Sequence, residues 1–278
     1  MRVQRQERAA EDGYSSPLLP GVRASADAVR LADELAFANG RLLTLAGVSR
    51  AVALPALYAE AQDLAASDLE QATWICFLGA YLCPLEGPEP FTGIEAALRV
   101  DRDELEDLSQ IELGPRTSHE QGRGAETLRA YRTWYRQAGS QAAAIAGDPS
   151  WTAERRFERI FERLALPGFT RAARYELLTL LGSLALYELR AGSLQLSGAR
   201  GASAEDPATL AAKRIFAIGD PLLLERRAKA LAEACAVPIA ALEPALADWG
   251  SGARASRGFA PEAADEETRL RARDALGL

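Results

Sequence analysis

A chain of 278 residues, 48% of them apolar, is long enough for one large domain or two small ones with a real core. It contains no run of about eighteen apolar residues, so no membrane span is expected. Its polar opening, MRVQRQERAAEDGYSS, lacks an apolar signal core, which predicts a cytoplasmic protein. The net charge of −7 speaks against a polyanionic partner. Its distribution points the other way: residues 114–174 carry eleven arginines against six acids, and the rest of the chain 21 bases against 33 acids. Such a basic centre suits a phosphate-binding face. It equally suits arginines spread round several helices and neutralised by Glu154, Glu158 and Glu162 at helical spacing.

Cys76, Cys83 and Cys235 suit a reducing compartment and are too few and too scattered for a four-cysteine zinc or iron–sulfur site. His119 is the single histidine, which disfavours a histidine metal site and a Ser-His-Asp triad. No metal and no cofactor is expected.

In chain order, residues 1–24 read as a flexible or loosely packed arm. Ser25 to Ala38 reads as a helix ending near Asn39-Gly40, followed by helical segments near 41–47, 54–66 and 68–82. Trp74 to Cys83 is the most apolar stretch and predicts a central buried helix, broken by the extended loop Pro84–Pro90. A helix resumes from Phe91 to Arg99. After the polar loop Gly114-Pro-Arg-Thr-Ser-His119, Glu126 to Gln137 forms a helix interleaving Arg129, Arg132 and Arg136 with Tyr131, Trp134 and Tyr135. Those aromatics either stack bases or fill the core.

Thr152 to Leu164 is amphipathic, with Phe157, Ile160, Phe161 and Leu164 at i, i+3, i+4 and i+7. A second apolar helix follows through Leu177, Leu180, Leu181 and Leu184. Leu166-Pro167-Gly168-Phe169-Thr170 joins them, the proline stopping one helix and the glycine allowing a tight reversal. A helical hairpin of this form turns the first amides of its second helix outward, as a phosphate site, where Arg171 and Arg174 are expected to add charge-assisted contacts. The other reading is an ordinary helical hairpin. Beyond a Gly- and Ser-rich connection over 193–205, Asp206-Pro207 and Asp220-Pro221 each predict an N-cap with proline at the first helical position. Those helices run to Phe216 and from Leu222 to Ala234, and a last one covers about 238–249. The domain then spans 25–250, and 251–278 is a peripheral tail or helix. Strand signals are nearly absent, so the fold class is all-α.

The stretches FLGAYLCPLEGPEPF, LGPRTSH, LRAYRTWYRQAGSQ, RRFERIFERLALPG, AAKRIFAIGD and ALADWG together resemble the alpha-glutamyl/putrescinyl thymine pyrophosphorylase clade 3 family. Through it the chain resembles the helix-hairpin-helix DNA glycosylases. The resemblance implies a two-lobed helical fold, a monomer with double-stranded DNA across its cleft, and a flipped nucleotide whose sugar faces a carboxylate. It implies either a glycosylase that excises a phage base such as glucosylated hydroxymethylcytosine in anti-phage defence, or a base-modifying pyrophosphorylase acting in hypermodified thymine synthesis. A non-catalytic DNA-binding helical module is the reading from another class.

Carried onto this sequence, the catalytic carboxylate is Asp206, ahead of a helix with the basic pair Lys213-Arg214; Asp220 ranks second and Asp248 third. The resemblance also implies that Tyr81 and the loop through Glu86 border the flipped base. Arg116 and His119 would bind phosphate or the base's added group, and Phe37 and Asn39 would line the pocket. Three departures stand out: the family's usual spacing from catalytic aspartate to the next basic residue falls on Thr209 to Lys213, with Asp206 three residues upstream. Thr170 replaces the hairpin's usual second glycine and should alter the turn, and Ala172 stands where a Schiff-base lysine is common, so a lyase is not expected.

Overall fold

The computed structural model describes residues 10–120, 122–196 and 206–278, and these are all-helical, with no strand among them. The chain divides into two compact units. One comprises Met1–Leu42, Ser193–Arg254 and Pro261–Leu278; the other comprises Leu43–Gly192 and Ala255–Ala260.

The first unit is built from α1 (Ser25–Leu45, its last residues counted with the second unit), α9 (Pro207–Phe216), α10 (Pro221–Ala234), α11 (Ile239–Ser251) and α12 (Glu266–Leu276). The helix expected to stop at Asn39-Gly40 runs on. Gly40 serves a close crossing instead: a Cβ there would stand 1.8 Å from the Ala263 carbonyl oxygen, and the Asp265 amide donates to Ala36 O at 2.9 Å. The α9–α11 contact is the most extensive pairing, and small residues permit it, since a Cβ on Gly250 would sit 2.9 Å from both Pro207 O and Ala211 Cβ.

The described part of the expected N-terminal arm is tied down. Leu19 and Val22 are buried, Gly21 N donates to Ile215 O at 2.8 Å, and the Tyr14 hydroxyl donates to Leu276 O at 2.6 Å. Residues 1–9 and 197–205, the rest of that arm and most of the expected connection, lie outside the described residues. The expected tail contributes α12, capped by Asp265 through Thr268 N, with Ala272 and Leu276 in the core.

The second unit is built round α3 (Leu69–Leu82), buried continuously from Ala72 to Leu82. It packs against α2 (Ala56–Leu64), α4 (Thr92–Leu98), α6 (Gln141–Ala146) and α8 (Arg171–Ser183). Trp74, Phe77 and Tyr81 recur along α3 at helical spacing and form an aromatic ladder. Phe77 stacks on Tyr131 of α5 (Gly124–Gln137) with 3.7 Å between centroids, and touches Phe169 at 5.5 Å. Two of the α5 aromatics therefore take the core reading: Tyr131 and Tyr135 are buried, while Trp134 is half-buried, and Tyr131 donates to Gln141 Oε1 at 2.8 Å. Arg132 is buried as well, donating to Arg102 O at 2.9 Å and to Leu105 O.

The short helix α6 has no strong sequence signal. Ser140 caps it, and the Glu70 carboxylate of α3 accepts from Gln141 N at 3.1 Å and Ala142 N at 2.8 Å. Burial pushes the Glu70 pKa up, but these donors outweigh it and leave it below the ordinary carboxylate value.

Candidate functional site

The hairpin lies within the second unit. α7 (Ala153–Arg163) is capped by Thr152 through Arg155 N and buries Phe157, Ile160 and Phe161. Pro167 is exposed, Leu166 and Gly168 are half-buried, and Phe169 turns inward against Phe77 and Tyr81. Gly168 has φ +71°, and a Cβ there would meet Thr127 Oγ1 at 2.1 Å, so glycine is required twice over.

Thr170, expected to alter the turn, fits it. Its φ of −64° and ψ of 160° are ordinary extended backbone, and its side chain caps α8 through Ala173 N. Nothing in the backbone at that position calls for a second glycine.

The loop 114–119 fastens the turn to the end of α3. Ser118 Oγ donates to Gly168 O at 2.8 Å and accepts from Thr170 N at 2.8 Å, while Ser118 N donates to Tyr81 O at 2.8 Å. Gly114 N donates to Leu82 O and Cys83 O, both at 3.1 Å, and a Cβ on Gly114 would lie 2.2 Å from Pro84 O. Cys83 ends α3 at φ 59° and is held in that strained conformation by these contacts. Burial pushes its thiol up to about 11, and Cys235 likewise to about 11.

Two arginines of the hairpin depart from expectation. Arg171 and Arg174, expected to reach a phosphate, are 3% and 6% exposed. Arg174 Nη1 donates to Phe161 O at 3.1 Å, and its guanidinium lies 4.4 Å from the Phe161 ring centroid. The aromatic stripe of α7 covers the first turn of α8, so Arg174 ties the two helices together from inside. Ala172 is half-buried in that same turn.

Tyr81 and His119 are brought together, with 2.8 Å between the phenol oxygen and Nδ1. Tyr81 is fully buried, and burial raises its pKa to about 12. Burial also depresses the His119 pKa, against the opposing charge of Asp107, so the imidazole is neutral at pH 7. A Cβ on Gly124 would sit 1.7 Å from the His119 ring; that glycine makes room for it. Arg116 is half-buried beside them in sequence. Glu86 is exposed and accepts from Ser256 N at 2.9 Å.

The carboxylates lie in the first unit. Asp206 is 9% exposed and caps α9; its Oδ2 accepts from Thr209 N at 2.8 Å and Thr209 Oγ1 at 2.6 Å. Asp220 caps α10 through Leu223 N at 2.9 Å and is exposed. Asp248 is buried on α11. Lys213 is exposed in the last turn of α9.

Asn39 and Phe37 are spent on packing this unit. Asn39 Nδ2 donates to Thr268 Oγ1 at 2.8 Å, and the Arg254 guanidinium covers the Phe37 ring at 4.7 Å. Both side chains are buried.

Glu34 is a buried carboxyl that sequence reasoning missed. Burial raises its pKa, Arg254 Nε at 2.7 Å opposes that, and the nearby charge of Asp248 reinforces it. Its signal was an acid standing between Leu31 and Ala38 on the buried face of α1. Close by, the Arg30 and Arg214 guanidinium groups lie over the Trp249 ring at 5.1 and 4.7 Å. Both arginines reach Asp27, at 3.6 and 3.5 Å, and Trp249 Nε1 donates to Asp27 O at 2.9 Å.

A cleft of about 470 Å³ in the second unit, lined by Gln71, Trp74, Leu98, Arg99, Arg102 and Asp103 among others, contains none of the candidate residues. Among the described residues no three metal-binding side chains converge, and no single helix is long and apolar enough to cross a membrane.

The family model for alpha-glutamyl/putrescinyl thymine pyrophosphorylase clade 3 matches residues 116–255, half of the chain. The chain belongs to that family. No curated protein and no solved structure matches it. The part matched to alpha-glutamyl/putrescinyl thymine pyrophosphorylase clade 3 takes in Arg116, His119, the hairpin, Asp206, Lys213, Asp220 and Asp248. Phe37, Asn39, Tyr81, Glu86 and the stretch FLGAYLCPLEGPEPF fall outside it. The family's description is that of an enzyme concerned with modified thymine.

Proposed function

We propose that the protein is a monofunctional DNA glycosylase that hydrolyses the N-glycosidic bond of a modified base in double-stranded DNA and leaves an abasic site. The substrate class is phage DNA with hypermodified bases such as glucosylated hydroxymethylcytosine, and the setting is anti-phage defence. The observation that carries this reading is Asp206: a nearly buried carboxylate, held by two donors at the start of a helix, inside the part of the chain that matches the family.

Loss of the base builds positive charge on C1′ of the sugar. A fixed, desolvated carboxylate stabilises that charge and orients the attacking water. The base must leave the stack to be processed. Ala172 at the start of α8 supplies no amine for a Schiff base, in keeping with hydrolysis that stops at the abasic site.

The family's description favours a second reading, a base-modifying pyrophosphorylase acting on hypermodified thymine. Mass spectrometry of bases released from modified and unmodified phage DNA, with and without pyrophosphate, separates the two. Release without pyrophosphate supports hydrolysis, and strict pyrophosphate dependence supports the second reading. DNA binding with no base released or altered under either condition leaves a non-catalytic helical module.

A further inference from the structure

The burial of Arg171 and Arg174 directs attention to cations that are displayed. Some exposed arginines are engaged with acids: Arg136 with Asp103, Arg159 with Glu162, Arg190 with Glu154, Arg271 with Glu267. α10 differs. Arg226, Arg227 and Lys229 are all exposed, and none enters an ion pair among the described residues.

Two acids stand four residues from Lys229 on the same helix, Glu225 before it and the exposed Glu233 after it. Glu225 is engaged elsewhere, since its two carboxylate oxygens accept from Leu194 N at 2.8 Å and Leu196 N at 2.6 Å. The buried side of the helix, with Leu224, Ala228, Leu231 and Ala232, is fully used in packing. Its outer side carries Leu222, Arg226 and Lys229 in one stripe, Arg227 to one flank, and Glu233 at the far end. Leu222 leads this stripe at 76% exposure.

We infer that the outer face of α10 is a second nucleic-acid contact, in which Arg226, Arg227 and Lys229 bind phosphates of the DNA backbone and Leu222 packs on the sugar or base edge beside them. The inference rests on the reading of the protein as DNA-binding and adds a surface that the hairpin does not supply. Charge complementarity selects the partner: three cations within about one turn, with Glu225 held elsewhere and Glu233 set at the far end of the stripe, suit a linear polyanion. An exposed leucine among cations is the arrangement with which proteins contact unstacked or bent base steps.

The test is a duplex-DNA titration across salt for the parent protein, for Arg226→Ala/Arg227→Ala/Lys229→Ala, and for the charge-preserving Arg226→Lys/Arg227→Lys/Lys229→Arg. These side chains are exposed, so circular dichroism and melting should match the parent. The expected result is a salt slope lower by about two to three units in the alanine triple, at about 0.9 per phosphate, and restored in the charge-preserving triple. A parent that binds DNA and an alanine triple with an unchanged slope would overturn the inference while leaving the glycosylase reading intact. A parent that binds no DNA would overturn both. Loss of binding to vesicles of 30% phosphatidylserine, with DNA binding unchanged, would assign the face to a lipid surface instead.

Discussion

Asp206 and Asp220 present the same local sequence, an aspartate before proline at a helix start, yet differ in the property that matters. Asp220 is an exposed cap, while Asp206 is nearly buried and receives both the amide and the hydroxyl of Thr209. Sequence could place both caps but could not rank them by burial, which depends on what packs over the turn. Asp206→Asn retains an acceptor for the cap, so DNA binding and melting temperature should hold close to the parent. Loss of a charge-stabilising group is worth about 3–4 kcal/mol, so single-turnover base release should slow about a hundredfold or more. Asp220→Asn releasing base at the parent rate is the matching expectation; a dead Asp220 variant beside an active Asp206 variant would move the site to α10. Arg174 makes the opposite point. Its position in the first turn of α8 suggested a phosphate ligand, but its guanidinium is enclosed by Phe161. Arg174→Ala should therefore cost about 2–4 kcal/mol of stability, read by urea unfolding, because it removes a buried donor and its packing. The salt slope of DNA binding should be unchanged, where a surface phosphate ligand would lower it by about one unit.

At the scale of the element, the hairpin shows what was legible and what was not. Apolar periodicity either side of Pro167-Gly168 located two helices and an outward turn, because local sterics and patterning decide those features. The clamp on the turn was invisible, since Ser118 lies some fifty residues earlier and its two bonds to the turn exist only once α3, the loop and the hairpin have packed. The same holds for α6, whose first amides are satisfied by Glu70 from a distant helix. Ser118→Ala should leave Gly168 O and Thr170 N short of their partner and destabilise the second unit by about 1–3 kcal/mol. Gly168→Ala should cost more than the same change at an exposed turn, because a positive φ and the Thr127 contact both oppose a Cβ. Urea unfolding of both variants checks this. Equal stability of Gly168→Ala and parent would mean that the turn adopts another conformation.

For the whole molecule, fold class followed from the near absence of alternating patterns and the abundance of capped, helically spaced apolar runs. Net charge did not translate into a site, because many of the arginines that make residues 114–174 basic are buried or paired. The ionisable groups that report the fold act in opposite directions with pH. Glu70 titrates below its ordinary value of 4.5 in the folded chain, so its contribution is present above pH 4.5 and is lost as pH falls further. His119 is also depressed from 6.5, so the unfolded chain takes up its proton first and stability declines as pH falls below that value. Glu34 has the reverse sign: its folded pKa lies above 4.5, so its favourable contribution is complete below pH 4.5 and is lost as pH rises through the folded value. At pH 7 its buried charge is a burden that Arg254 only partly offsets. Glu34→Gln keeps an acceptor for Arg254 and removes that charge. Its stability relative to the parent should therefore be higher at pH 7 than at pH 4, whereas Glu70→Gln should fall below the parent at pH 7 and approach it at pH 4. Urea unfolding of the three proteins at both pH values measures the two differences. If both variants shift in the same direction between pH 7 and pH 4, the buried carboxyl of α1 is held in its charged form.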